Sequence, residues 1–168
     1  VSLHQDLLEQ AKFLARREPR RPRQASLRRA VSTAYYALFH LLISEASGLV
    51  VRDDLLKAAL NRVFTHKEMA RTAKAFGSGT VPKRFQIHIP ATNVPQDLRA
   101  TAKAFVELQQ ARHDADYDIA TPFTRKDALT LVDLAEEAFS RWQRVRKEDC
   151  ARLFLASFLD WDRLDKAP

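Results

Sequence analysis

The sequence predicts an all-α protein, a bundle of about five helices. Three observations predict it. The 168 residues contain only three glycines, too few for the turn-dense path of a β sandwich or barrel. Leucine, alanine and arginine, all good helix formers, are abundant. Apolar side chains also recur at three- and four-residue steps along most of the chain. The length fits one domain over 1–168 and suffices for a substantial core.

A first helix is expected over Ser2–Arg17, with Ser2 as N-cap and Leu3, Leu7, Ala11 and Leu14 along one face. Pro19 and Pro22 end it and stiffen the connection. The second is expected over Arg23–Ala46. Its stripe of Leu27, Val31, Ala34, Leu38 and Leu41, widened by Tyr35, Phe39 and Leu42, marks it as central, with Gly48 closing it. Asp53 and Asp54 suit the start of a third, through Leu55, Leu56, Leu60, Val63 and Phe64 toward Phe76.

The stretch "GSGTVPKRFQIHIPATNVP", Gly77–Pro95, is long for a connection inside a compact domain, which points to a mobile or functional segment. Within it Gln86–Ile89 is expected to be briefly extended. A fourth helix starts near Pro95, a favourable first-turn proline, and ends near Tyr117. Thr121-Pro122 breaks the chain, and Thr124 caps a fifth helix with Leu131, Leu134, Ala138, Trp142 and Val145 on one face. No Gly or Pro separates it from "CARLFLASFLDW", so it is expected to continue. Phe154, Phe158 and Trp161 there make an apolar face for the core or for a second subunit.

The net charge is +7, and it is uneven. Seven arginines against Glu18 between Arg16 and Arg29 give +6, which leaves +1 for the rest. Such a patch suits a phosphate-bearing partner or a solubilising linker. Arginine rather than lysine favours phosphate, which a guanidinium binds bidentately, with Arg20, Arg21, Arg23 and Arg28 as the candidates. Cys150 is the sole cysteine, which excludes an intramolecular disulfide and fits a reducing compartment. No apolar run reaches the roughly 20 residues that span a bilayer, so a soluble, cytoplasmic protein is expected. No zinc-ligand spacing, di-iron Glu-x-x-His pair or Gly-rich phosphate loop is present. The chain is therefore expected to use no metal and no cofactor. The basic helices also suit a helix-turn-helix DNA reader, although the short, tight turn of that motif is not evident.

Two constellations carry polar chemistry. On the second helix, Arg29, Thr33, Tyr36 and His40 share one face at steps of four, three and four. They either line a cleft or are core groups bonded to backbone or carboxylate. On the fourth, Leu98, Ala102, Phe105 and Arg112 share a stripe, so Arg112 is expected to point inward and to need an anion. Asp116, four residues on, is the nearest, and His113 with Tyr117 makes the adjacent pair. These residues are either a helix-end lock or part of a site.

The segments "LRRAVSTAYYALFHLL" and "ARHDADYD" resemble the two signature segments of the HEPN superfamily, helical domains associated with nucleotides and RNA. The stretch "THKEMARTAKAF" is similar to the less constrained middle of many members. The resemblance spans roughly Arg23–Val145, leaving 146–168 as a helical extension. It implies an up-and-down helical bundle that forms a homodimer, with the arginine segments of two subunits in a shared cleft. It also implies either metal-independent endoribonuclease activity, often as a toxin beside a small nucleotidyltransferase, or non-catalytic binding of RNA or a nucleotide. By the same resemblance Arg29, Tyr36, His40, Arg112, Asp116 and Tyr117 would line the cleft.

Catalytic members of that superfamily carry an arginine followed, after four to six residues, by a histidine. Arg112 matches the arginine, but Tyr117 stands where a histidine would, and none follows His113. Cleaving RNA without a metal needs a base for the ribose 2′-hydroxyl and a cation for the phosphate. An ordinary phenol, with a pKa near 10, is ionised to only ~0.1% at neutral pH and is a poor base. His113 lies about 100° from Arg112 around a regular helix. The expected function is thus RNA or nucleotide binding, within a toxin–antitoxin or defence-type pair with a nucleotidyltransferase, without ordinary ribonuclease activity. The alternatives are an endoribonuclease using Arg112 with His113 or Tyr117, and a non-enzymatic protein-interaction subunit.

Overall fold

A computed structural model describes residues 2–90 and 93–166. Among these residues there are nine helices and no strand. In chain order they are α1 (Leu3–Arg16), α2 (Gln24–Val50), α3 (Asp54–Asn61), α4 (His66–Gly77), α5 (Lys83–Gln86), α6 (Gln96–Tyr117), α7 (Arg125–Val145), α8 (Asp149–Ala156) and α9 (Trp161–Asp165). The chain divides into two compact units, Val1–Leu41 with Ala104–Phe139, and Leu42–Lys103 with Ser140–Pro168.

The first unit comprises α1, α2 up to Leu41, α6 from Ala104 and α7 up to Phe139. Ser2 caps α1: the Gln5 side-chain oxygen accepts from the Ser2 backbone N–H at 3.3 Å and from its hydroxyl at 3.0 Å. The inner face of α2 buries Leu27, Val31, Ala34, Tyr35 and Leu38, as the spacing predicts. Tyr35 stacks obliquely on Phe105 of α6 with ring centroids 5.5 Å apart. Alanines dominate the rest of the buried set, among them Ala11, Ala30, Ala37, Ala104, Ala135 and Ala138. Side chains that small let helix axes approach closely. Lys12 of α1 pairs with Glu136 of α7 at 2.7 Å, and that hydrogen bond is the main cause of its raised pKa.

Thr124 caps α7 as predicted, and Asp127 completes the box. Asp127 Oδ2 accepts from the Thr124 backbone N–H at 2.8 Å, while the Asp127 N–H donates to Thr124 Oγ1 at 3.1 Å. Thr124→Ala should cost about 1 kcal/mol in urea unfolding and Thr124→Ser much less, because only the alanine leaves the first-turn N–H groups without an acceptor.

The second unit departs from the sequence expectation in four places. The second helix does not close at Gly48 but runs through it to Val50. A Cβ there would meet nothing within 4 Å, and the cost of one interior glycine, about 1 kcal/mol, does not stop a long helix. The expected third helix is two helices. Arg62 ends α3, and Thr65 restarts the chain by accepting from the Glu68 N–H at 3.3 Å. Gln86–Ile89 is not extended. Gln86 closes the single turn of α5, and the N–H groups of His88 and Ile89 bond back to the Phe85 carbonyl. Of that long connection, Ala91 and Thr92 lie outside the described residues.

The fourth departure is at the C-terminus. α7 stops at Val145 and α8 begins afresh with Glu148 as its N-cap. A straight helix would hold Trp142 and Phe154 about 18 Å apart, yet their rings lie 6.3 Å apart. The chain must fold back to bury the Phe154, Phe158 and Trp161 face, which packs with Phe76 of α4 inside this unit. Thr72 of α4 donates to the Ser157 carbonyl at 3.1 Å, and Asp97 of α6 binds both Arg141 and Arg144 of α7. Cys150 is buried here, and burial pushes its thiol up to about 11. No described helix is long and apolar enough to cross a membrane.

Candidate functional site

The polar residues singled out in the sequence meet in the first unit, where the C-terminal end of α6 lies on the N-terminal half of α2. Arg112 is at their centre. Its Nε stands 2.9 Å from Asp116 Oδ2, one turn on, as the spacing predicts, with the two side chains only 20% and 27% exposed. Its Nη2 donates to the Tyr36 hydroxyl at 3.0 Å. The Nε–H is not aligned for a hydrogen bond to the carboxylate, so the Asp116 contact is an ion pair and the Tyr36 contact the directional one. The guanidinium also lies 5.5 Å from the Tyr36 ring centre and 5.8 Å from that of Tyr117, near enough for cation–π attraction. Burial alone would lower the Arg112 pKa. Tyr36, Asp116 and Tyr117 outweigh it and hold the guanidinium above its usual range, permanently charged.

Around this pair the two tyrosines of "AYYALFH" separate. Tyr35 is fully buried, and burial drives its pKa upward, whereas Tyr36 is half-buried and turned to Arg112. His40, one turn beyond Tyr36, is half-buried, its pKa lowered first by burial and then by His4, so its imidazole is neutral at pH 7. It contacts Tyr36 and Phe39 on its own helix. Thr33, in the same predicted stripe, is buried. His113 is exposed and meets Tyr117, with centroids 5.1 Å apart, and Tyr117 is 65% exposed. The side chains of 112 and 113 thus diverge, as helical geometry requires.

Arg29 is exposed and lines a cleft of about 420 Å³ together with Arg17, Arg28, Ser26 and Asp116. Arg28 plays a different part from Arg20, Arg21 and Arg23, with which the sequence grouped it. Its Nη1 donates to the carbonyls of Asp114, Ala115 and Asp118, and its Nη2 to that of Thr121. It closes the C-terminal end of α6, where carbonyls lack helical partners. Gln24 clamps the next segment, exchanging two hydrogen bonds with the Phe123 backbone at 2.7 and 2.9 Å. Arg20, Arg21 and Arg23 are exposed on the connection between α1 and α2.

Sequence reasoning missed three participants. Ser32 donates to Asp116 Oδ2 at 3.4 Å, and its place one turn before Tyr36 is the signal that could have found it. Arg17 belongs to the cleft, not only to the patch. Glu18, read merely as the patch's one acid, accepts from the Ser26 hydroxyl and the Arg23 N–H and so ties the connection to the first turn of α2. Ser26 is the largest influence holding its carboxyl below the usual range. Compared with protein-family models, with curated proteins and with solved structures, the chain matches none.

Proposed function

We propose that this chain is a HEPN-type protein that binds RNA or a nucleotide at the α2–α6 site, as a homodimeric, cytoplasmic component of a toxin–antitoxin or defence-type pair with a nucleotidyltransferase. The observation that carries this reading is the 3.0 Å hydrogen bond from Arg112 to Tyr36. It joins the two sequence segments on which the resemblance rests. Arg17 and Arg29 face a cleft roomy enough for a phosphate and its sugar. Asp116 in the same cleft would repel phosphate, but Arg112 offsets its charge at 2.9 Å, leaving the field to the other arginines.

The same geometry argues against ordinary cleavage. Arg112 is already engaged by Asp116 and Tyr36, and the adjacent His113 imidazole packs on Tyr117. The endoribonuclease alternative draws on the exposed His113–Tyr117 pair beside Arg112.

The test is anisotropy titration of a labelled single-stranded RNA in EDTA, with ATP run in parallel and the RNA recovered on a gel. We expect intact RNA, affinity that falls with salt, and about a tenfold loss in Arg17→Ala/Arg29→Ala. Unchanged affinity in that variant removes the cleft from the reading. EDTA-resistant cutting that Arg112→Ala abolishes would establish the endoribonuclease instead. Binding no tighter than that of a charge-matched control protein, with retention of a nucleotidyltransferase, would leave an interaction subunit.

A further inference from the structure

Of the large apolar side chains exposed among the described residues, only two are aromatic, Phe13 and Tyr117. Both adjoin residues of the arginine cleft. Tyr117, 65% exposed, follows the cleft's Asp116 in α6. Its ring already meets His113 and Arg112. Phe13 of α1 is 59% exposed and makes no ring contact among the described residues. It lies across the helix from the buried Leu8, Ala11 and Ala15, so it does nothing for the core. Leu14, its neighbour in the chain, lines the cleft, and so does Arg17, one turn on. On a regular helix Phe13 and Arg17 stand roughly 6 Å apart along the axis and about 40° apart around it. The phenyl ring is thus at the rim of the cleft, beside that guanidinium.

We propose that Phe13 is a base-stacking residue for single-stranded RNA, one unpaired base lying on its ring, a role that rests on the reading of the cleft as an RNA site. Arginines attract phosphate on a strand and on a duplex alike. An exposed ring distinguishes them, because a base must leave its own stack to lie on it. The charges on either side of Phe13 fix how the strand runs. Arg16 and Arg17, three and four residues on, lead into Arg20, Arg21 and Arg23 of the connection. In the other direction stand Glu9 and Asp6, with Glu9 held by Lys12 at 3.0 Å. Phosphate is therefore favoured only on the C-terminal side of Phe13, and the ring marks the end of the basic surface. A base on Phe13 with its phosphate at Arg17 satisfies both, and the backbone then continues along the connection. A free nucleotide would leave those three arginines unused. A duplex would offer them phosphate and offer the ring nothing.

Anisotropy titrations of the full chain in EDTA test it. The probes are a short labelled single-stranded RNA, a duplex RNA of the same sequence, and a ribose-phosphate oligomer of the same length without bases. Phe13→Ala should bind the single strand about tenfold more weakly than wild type, with far-UV spectrum, Tm and salt slope unchanged. Phe13→Trp should keep wild-type affinity and Phe13→Leu should not, because leucine is apolar but has no π-face. Wild type should bind the duplex and the baseless oligomer more weakly than the single strand, and Phe13→Ala should bind those two as wild type does. If Phe13→Ala keeps wild-type affinity for the single strand where Arg17→Ala/Arg29→Ala loses it, the stacking role is overturned and the RNA reading stands. Full affinity in Phe13→Leu, or an equal loss by Phe13→Ala on the baseless oligomer, overturns the stacking role as well. A wild type that binds no RNA removes the reading and the stacking role together.

Discussion

Arg28→Ala should unfold about 3 kcal/mol more easily than wild type, a larger loss than any ordinary surface substitution produces. One guanidinium serves four main-chain carbonyls, at 3.3 Å from Asp114, 3.0 Å from Ala115, 2.8 Å from Asp118 and 2.7 Å from Thr121. Charged hydrogen bonds contribute about 1.5–3 kcal/mol each where water is excluded. Part of this group is exposed, so water replaces some of them in the variant and the sum is well below four such bonds. What water cannot restore is the geometry. These carbonyls end α6 and begin the following turn, and Asp118 shapes that turn by accepting from the Ala120 N–H at 3.0 Å and the Thr121 hydroxyl at 2.7 Å. Arg28→Lys should recover less than half of the loss, because an ammonium lacks the planar fork that spans four acceptors. Urea unfolding reads the difference, and a fall in Tm of roughly 6–12 °C is expected for a chain of this size. An Arg28→Ala variant within 1 kcal/mol of wild type would show that the carbonyls are well served by solvent.

Whether each feature was legible in the sequence depended on how local its cause was. α1, α2, α6 and α7 were legible because their apolar periodicity and capping words, Ser2 and Thr124 above all, lie within the segments themselves. The Arg112–Asp116 pair was legible for the same reason, being four residues apart on one helix. The breaks after Asn61 and Val145 were not. The first hangs on a Thr65–Glu68 cap hidden inside an apolar run, and the second on a fold-back that brings Phe154 to Phe76 and Trp142, a choice between distant partners that periodicity does not encode. The changed standing of Arg28 has a like cause. Among seven arginines of similar local context, only tertiary placement distinguishes the one that gathers the four carbonyls at the end of α6 from Arg20, Arg21 and Arg23, which are exposed. That distinction also redraws the phosphate patch, because four carbonyls take up donors that Arg28, at the edge of the cleft, would otherwise offer to a ligand.

Arg20→Ala/Arg21→Ala/Arg23→Ala should weaken RNA binding by about one to two orders of magnitude at moderate salt. It should also flatten the dependence of log affinity on log salt by roughly 2, at about 0.7 per phosphate contact on a single strand. These side chains are exposed, so the fold should survive their removal. Their effect should exceed that of three arginines on a loose tail, because both ends of the connection are held. Arg125 donates through Nη1 to the Pro19 carbonyl at 2.7 Å and through Nη2 to that of Glu18, while Glu18 bonds forward to Arg23 and Ser26. A strip anchored in this way loses less conformational freedom when it meets a phosphate backbone. Anchoring and charge therefore separate in a second measurement. Arg125→Gln should lower affinity severalfold with little change in salt slope, since the positioning residue is lost while the three outward arginines remain. If Arg125→Gln instead changes the slope as much as the triple alanine variant does, Arg125 contacts phosphate itself. A triple variant that keeps wild-type affinity and slope would show the strip to be a solubilising linker, the other reading its composition allows.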